Sequence, residues 1–123
     1  MIHGIVNARL EATIHLELRG PSGLVHVVDA VIDSGYTSTL ALPMATVAAL
    51  GLLQTASGMA MMGDGSVVNY DIFIADVKWG NAWRTVFVSA VGNVPLVGML
   101  LLADHKLVID VIPGGLVEII PPP

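Results

Sequence analysis

Residues 31–35 read Val31-Ile32-Asp33-Ser34-Gly35, and residues 39–43 read Thr39-Leu40-Ala41-Leu42-Pro43. A carboxylate therefore ends an apolar strand and is followed at once by a hydroxyl residue and a glycine. Such a triplet is common in ordinary turns that cap a strand. This loop, however, lies between two apolar segments, which is not typical of a surface turn. The pattern occurs once in the chain and predicts a functional loop centred on Asp33.

The composition indicates a folded domain with more apolar surface than a small core can hide. Hydrophobic residues make up 54% of the 123 residues and charged residues 12%, against about 25% charged in a typical domain. A chain of this length forms one domain, which we expect to span residues 1–123. A very hydrophobic core is one explanation for the apolar excess. The other, which we favour, is a subunit interface.

Charge, cysteine content and segment length exclude several classes of function. The net charge is −5 and the five basic residues are scattered, so we expect no nucleic-acid partner. The longest nearly uninterrupted apolar run, Val94–Ala103, contains a proline and is too short to cross a bilayer, so no membrane partner is expected. Cysteine and a signal-peptide pattern are both absent, which predicts a cytoplasmic protein. The four histidines lack close ligand spacing, so neither a metal nor another cofactor is expected.

Alternation and turn residues predict a mostly β chain in its first half. A strong turn at Gly20–Gly23 divides residues 13–32 into a hairpin. Pro43 is expected at the first position of a short helix over Met44–Leu50, and Gly51 at its C-terminal end.

Further strands are predicted in the second half. A second hairpin has arms near residues 57–62 and 67–79, joined by Gly63-Asp64-Gly65. Residues 98–105 are expected to form one or two helical turns. Later strands are expected over residues 83–91, 94–97, 107–111 and 116–120. The prediction is a mostly β, closed-barrel-like domain with eight or nine strands and one or two short helices.

A second short motif lies downstream at Pro95-Leu96-Val97-Gly98. It places two large apolar residues and a glycine before a short apolar stretch. With Asp33-Ser34-Gly35 and the glycine-containing hairpin, the chain resembles the retropepsin-like aspartic proteases, the single-domain relatives of pepsin. The resemblance spans residues 10–120. It implies a small closed-barrel-like acid protease subunit that works as a homodimer and hydrolyses peptide bonds.

The resemblance also implies roles for individual residues. One Asp33 from each subunit would share a proton and activate a water molecule. Ser34 would brace the two loops across the dimer, and Gly35 would let the backbone approach a peptide or protein substrate. The implied flap comprises Met61, Met62, Gly63, Asp64 and Gly65. The implied apolar pocket walls comprise Val94, Leu96 and Val97.

Three departures from the viral members of this family change the expectations. Tyr36-Thr37-Ser38 stands where those members often carry an alanine and an acidic residue, and Met99 stands where they carry an arginine. The dimer must therefore be braced differently, and the bulk of Tyr36, at a place that is usually small, leaves the shape of the cleft open. We also expect the C-terminal strand, residues 116–120, to pair with terminal strands of the partner.

Other interpretations stay open. The fold can serve as a non-catalytic dimeric binding or scaffold domain, since fold does not fix function. A protease that cuts one dedicated partner is another possibility. A single-chain carboxylate pair of Asp29 and Asp33 would suit glycosidase chemistry, but sugar-stacking aromatic residues are not found around it. Asp110 is interpreted as a structural strand residue.

Overall fold

The computed structural model describes residues 1–61 and 63–123, and these residues form ten strands and one helix. Met62, one of the expected flap residues, lies outside the described residues. In chain order the elements are β1 (Ile2–Val6), β2 (Ala12–Arg19), β3 (Val25–Ile32), β4 (Leu40–Leu42), α1 (Met44–Leu50), β5 (Leu53–Met61), β6 (Val67–Trp79), β7 (Ala82–Ala90), β8 (Leu96–Val97), β9 (Lys106–Ile109) and β10 (Leu116–Ile120).

Six strands close into a barrel, which confirms the predicted fold class. Their spatial order is β6-β7-β4-β8-β3-β2, and pairing of β2 with β6 at Leu18↔Val77 completes the ring. Strand β5 continues from β6 as one arm of a hairpin. Strands β1, β10 and β9 continue the sheet in that order from β2. The barrel holds the core, and the two extensions provide the hairpin and the terminal sheet.

The barrel interior is filled by alternate residues of its strands, as the period-2 pattern predicts. In β2 the apolar members Ile14, Leu16 and Leu18 are buried, while the residues between them face outward. The core also includes Leu40 and Leu42 of β4, which are fully buried. Each such side chain contributes about 1.5–3 kcal/mol when it leaves water. Burial on this scale keeps the short strand β4 in place beside the Asp33 loop.

Helix α1 forms over the predicted residues, Met44–Leu50, and packs Val47 and Leu50 into the core. Gly51 ends it in the left-handed conformation, with φ of 62°, as expected for a C-terminal glycine. Pro43 precedes the helix as its N-cap, with φ of −58° and ψ of 146°, rather than standing at its first position. Within the described residues, no helix is long and apolar enough to cross a membrane.

The structure differs from the prediction over residues 98–105, which form consecutive turns instead of a helix. Bonds of the i→i+3 type join Leu101 to Gly98, Ala103 to Leu100 and His105 to Leu102. Asp104 adopts a positive φ of 67°, which ends any helical path. The apolar composition of this segment therefore reflects packing, since Leu101 and Leu102 are buried.

Two strand predictions also need correction. Strand β1 was not expected, because Gly4 interrupts its short apolar pattern; β1 is held by pairing with β10 and β2. The first arm of the second hairpin begins at Leu53, not at residue 57. Pairing with strands distant in the sequence fixes both the presence of β1 and the start of β5.

The expectation that the C-terminal strand pairs with another subunit is wrong. Strand β10 pairs with β1 on one edge, in the register Ile5↔Leu116, and with β9 on the other, in the register Val117↔Ile109. Both edges of β10 are therefore occupied within the chain, and β9 is the outermost strand of this sheet. Asp110 lies just past β9.

Candidate active site

Asp33 lies directly after β3, at the point where β3, β8 and β4 meet. Strand β8 runs parallel to β3, with Val31 opposite Leu96, and antiparallel to β4, with Leu40 opposite Val97. The Asp33 N–H donates to the Val97 carbonyl at 2.9 Å. The carboxylate is thus mounted on barrel strands rather than on a free surface turn, as the flanking apolar segments predicted.

Residues 33–39 are joined to the segment after β8 by a second set of backbone hydrogen bonds. The Gly98 N–H donates to the Thr39 carbonyl at 2.9 Å, and the Leu100 N–H donates to the Ser38 carbonyl at 3.1 Å. A Cβ on Gly98 would lie 2.0 Å from the Ser38 oxygen. The close approach of these two segments therefore requires glycine at position 98. This explains the predicted association of the Asp33 triplet with the downstream glycine.

Within the loop, the Asp33 carboxylate is held by its own turn. Its Oδ1 accepts a hydrogen bond from the Gly35 N–H at 2.9 Å, and its carbonyl accepts one from the Tyr36 N–H at 3.1 Å. Asp33 is half-buried, while Ser34 and Gly35 are exposed. One carboxylate oxygen is thus fixed by the backbone, and the triplet lies at the surface where another molecule can reach it.

The Tyr36 side chain, whose bulk left the shape of the cleft open, turns toward the barrel. Its Oη donates to Oγ of Ser89, on β7, at 3.0 Å and lies 3.4 Å from the Leu40 carbonyl. Ser89 is buried. The sequence contained no signal for this contact, because the two residues are 53 positions apart and neither belongs to a recognised pattern.

The three expected pocket-wall residues have different environments. Val94 is exposed and Leu96 is half-buried beside the loop. The Val97 side chain, by contrast, is fully buried in the barrel core, so it does not line a surface pocket. Its contribution to the site is its carbonyl oxygen, which accepts the hydrogen bond from Asp33.

The described residues of the expected flap lie on the β5–β6 hairpin. Met61 ends β5 with its side chain exposed, and Gly63, Asp64 and Gly65 form the turn. Gly65 has a φ of 86°, a conformation that favours glycine. Described strand pairs connect β6 to β5, β7 and β2, not to the strands that hold Asp33.

The acidic residue at the hairpin tip has a local structural role. Oδ1 of Asp64 accepts hydrogen bonds from the Ser66 hydroxyl at 2.6 Å and the Ser66 N–H at 2.9 Å. These bonds, the hydroxyl first, lower the pKa of Asp64 below its ordinary value of 3.8. The hydrogen bonds from Ser66 therefore favour the charged form of Asp64.

Two surface cavities lie away from the triplet. One lies between Arg19, Pro21 and Asp76, and the other lies beside Trp79 and His105. Neither includes Asp33, so these concave places do not supply a cleft around the carboxylate.

The nearby acidic residue Asp29 has a partner of its own. Its carboxylate contacts Nδ1 of His15 across the β2–β3 pair, on the outer face of the barrel. This contact engages Asp29 away from Asp33 and argues against a single-chain carboxylate pair. Across residues 1–61 and 63–123, no group of three or more His, Cys, Asp or Glu side chains is placed to hold a metal ion.

Comparison with solved structures agrees with the strand arrangement. No protein-family profile and no curated protein sequence matches the chain. The chain is similar in structure to a retropepsin-like aspartic protease from Rickettsia conorii, with a TM-score of 0.54 and 16% sequence identity. The match covers 97% of this chain and 90% of the other.

The chain has a retropepsin-like fold. At this level of identity the similarity is evidence for the fold alone. The chemistry has to be argued from Asp33 and its surroundings.

Proposed function

We propose that the protein is an aspartic endopeptidase that acts as a homodimer, with one Asp33 from each subunit. The observation that carries the proposal is the position of Asp33. It is a half-buried carboxylate, fixed at the junction of three barrel strands and followed by an exposed hydroxyl residue and glycine. A retropepsin-like fold with its carboxylate at this position favours peptide hydrolysis over a passive binding role.

The proposed reaction needs two carboxylates that share one proton, because like charges at short range do not both ionise. The charged Asp33 takes a proton from a water molecule, whose oxygen attacks the peptide carbonyl. The protonated Asp33 of the partner subunit donates a hydrogen bond to the carbonyl oxygen. Collapse of the tetrahedral intermediate breaks the C–N bond, and a proton passes to the leaving nitrogen. No cofactor is required.

A single chain supplies half of these groups, which is the main argument for a dimer. The triplet occurs once in the sequence, and Asp29 is engaged by His15. A two-fold axis beside Asp33 would bring the second carboxylate to the first. This is the isologous arrangement of the commonest oligomers.

Exposed apolar residues lie on segments connected to the loop, and we infer that they support both a partner and a substrate. Phe87, Val94, Met99 and Leu100 are all exposed, and we call them the apolar rim. Their segments are connected to the loop: the Thr39 hydroxyl donates to the Phe87 carbonyl, and the Met99 and Leu100 N–H groups donate to loop carbonyls. Val94 precedes the segment that bonds to β3. Exposed apolar groups of this kind mark places where another molecule binds. The rim therefore favours substrates with hydrophobic side chains beside the scissile bond.

The terminal sheet offers a second contact between subunits, through β9. The Asp110 N–H donates to the Leu116 carbonyl. Hydrogen-bonded pairs alternate along an antiparallel strand pair, so the even-numbered residues of β9 are bonded to β10. The N–H and C=O groups of Leu107 and Ile109 therefore point away from β10, toward the free edge. Antiparallel pairing of two β9 strands about Val108 would satisfy these groups. The same register places Lys106 opposite Asp110 of the partner subunit, and the two-fold symmetry makes this pair occur twice.

Alternative registers lack this charge match. Moving the centre by one residue places Lys106 opposite Val108 or Ile112 of the partner subunit. The self-complementary charges therefore favour the register centred on Val108, since opposite charges directly across a strand pair are stabilising.

The test compares Asp33→Asn with Asp29→Asn, a matched control on the strand that leads to the same loop. A mixture of unfolded peptides is incubated with each protein from about pH 4 to 7, the range in which a coupled carboxyl pair is expected to titrate. The wild type and Asp29→Asn should cleave, and Asp33→Asn should lose at least about a thousandfold in rate. Sedimentation of the same samples gives the oligomeric state.

The outcomes separate the interpretations. Equal cleavage by the wild type and Asp33→Asn would refute the role of Asp33. An active monomer at micromolar concentration would refute the shared site. A stable dimer without cleavage of any peptide would refute a general endopeptidase and favour the binding domain or an enzyme with one dedicated partner.

A further inference from the structure

Tyr36 connects the Asp33 loop to strand β7. The residue follows Gly35, and its side chain is half-buried. Its phenol donates a hydrogen bond at 3.0 Å to the hydroxyl of Ser89, which is only 8% exposed. A hydroxyl buried to this extent needs a partner. The phenol meets that need, so the contact has a structural reason on both sides.

The ring and backbone of Tyr36 make further contacts with the loop and the downstream glycine. A Cβ on Gly98 would lie 2.8 Å from Cδ2 of the ring, so the ring packs directly against the glycine. The Tyr36 N–H donates to the Asp33 carbonyl at 3.1 Å, and its own carbonyl accepts from the Met99 N–H at 2.8 Å. One residue therefore contacts Asp33, the turn after β8 and strand β7.

We propose that Tyr36 is a positioning residue, which fixes the Asp33 loop by fastening it to Ser89 and to the Gly98 turn. The inference rests on the proposed function. Tyr36 points into the barrel junction, away from where a substrate would bind, so it acts through Asp33. It braces the loop within each subunit, because all of these contacts are made inside one chain.

Positioning matters because the proposed reaction depends on the separation of two carboxylates and on a water molecule held between them. A shift of about 1 Å in a reacting group can lower the rate by up to a hundredfold. Loss of the phenol hydroxyl frees one of the connections of the loop, while the ring still packs on Gly98. We therefore expect an intermediate effect on turnover and little effect on substrate affinity.

The experiment measures kcat and KM for the wild type, Tyr36→Phe, Ser89→Ala and the double variant. Tyr36→Phe should lower kcat about tenfold with KM changed less than about twofold, because the lost interaction does not touch substrate. Ser89→Ala should have a similar effect. The double variant should be no worse than the more damaged single variant, since both changes remove the same hydrogen bond.

The control is Thr85→Val, which lies on the same strand as Ser89. It removes another side-chain hydrogen bond of β7, the 2.7 Å bond from the Thr85 hydroxyl to Asp76, away from the loop. This variant should keep the kcat of the wild type. Amide hydrogen exchange of folded samples provides a readout besides activity: the Gly35 and Met99 amides should exchange faster in Tyr36→Phe and at the wild-type rate in Thr85→Val.

Two results would overturn the inference. The first is a folded Tyr36→Phe protein with wild-type kcat and wild-type exchange at Gly35 and Met99. The second is a double variant whose losses multiply, which would show that the two hydroxyls act separately. Absence of cleavage by the wild-type protein would instead refute the proposed function itself, so the two failures are distinguishable.

Discussion

Gly98 gives the sharpest stability prediction, because the space for its side chain is already filled by backbone. A Cβ at position 98 would lie 2.0 Å from the Ser38 carbonyl oxygen and 2.8 Å from the Tyr36 ring. The carbonyl oxygen would have to move by 1.0 Å to reach even 3.0 Å. Gly98→Ala must therefore force the Asp33 loop and the segment after β8 apart.

The expected cost follows from what this separation breaks. Of the three hydrogen bonds that cross this gap, two hold the Ser38–Thr39 segment that must move, from Gly98 to Thr39 at 2.9 Å and from Leu100 to Ser38 at 3.1 Å, and each contributes about 1 kcal/mol. Overpacking adds about 1–3 kcal/mol. The free energy of unfolding should fall by about 4 kcal/mol, a large part of the roughly 5–15 kcal/mol that stabilises a domain.

Thermal and urea unfolding, followed by circular dichroism at one fixed protein concentration, measure this change. A loss of about 4 kcal/mol should lower Tm by roughly 15 °C. The matched control is Gly63→Ala, at which a Cβ meets nothing within 4 Å; its stability should change by less than about 1 kcal/mol. Ordinary surface substitutions change the free energy of unfolding by about ±0.5 kcal/mol. A Gly98→Ala protein whose free energy of unfolding lies within about 1 kcal/mol of the wild type would therefore contradict the close contact between Gly98 and Ser38.

Three other measurements test separate parts of the structure. Charge reversal at either Lys106 or Asp110 should raise the dimer dissociation constant about tenfold in sedimentation equilibrium. The protein with both charges reversed should regain wild-type affinity. A dimer insensitive to all three changes would exclude the proposed β9 register. Hydrogen bonds from Thr85, the larger cause, and from Arg19 lower the pKa of Asp76 below its ordinary value of 3.8. Because the folded state favours the charged carboxylate, the free energy of unfolding should fall as the pH drops below 3.8. Urea midpoints measured across this range should fall less steeply for Asp76→Asn. Gly58→Ala would meet the Tyr70 ring at 2.8 Å, and because that ring can rotate away, faster amide exchange in the hairpin is expected with little loss of global stability.

Much of the site was predictable because its signals are local. An apolar strand, a carboxylate, a hydroxyl residue and a glycine lie within a few positions, and the segment ending at Gly98 has its own compact pattern. The structure joins these two segments through the hydrogen bond from Asp33 to Val97. Helix α1 was predictable for the same reason, since its proline and Gly51 mark its ends.

Other features were not predictable, since they depend on partners that lie far apart in the sequence. The sequence left the position of the Tyr36 side chain open, and the structure bonds it to Ser89, 53 residues away. Val97 was expected in a pocket wall, yet alternation along a two-residue strand does not show which face is the core. Residues 98–105 have an apolar composition that suits either a helix or buried turns.

The sequence by itself determined the strand-rich composition, the Asp33 loop and a second short pattern ending at Gly98, because alternation and turn chemistry act over a few residues. The contact between these two segments was decided by the tertiary structure. Tertiary structure decided which strand edges are occupied. Strand β10 is enclosed by β1 and β9, so β9 is left as the outermost strand of the terminal sheet. Hydrogen bonds between strands join residues of any separation, and their pattern is settled only when the whole sheet has formed.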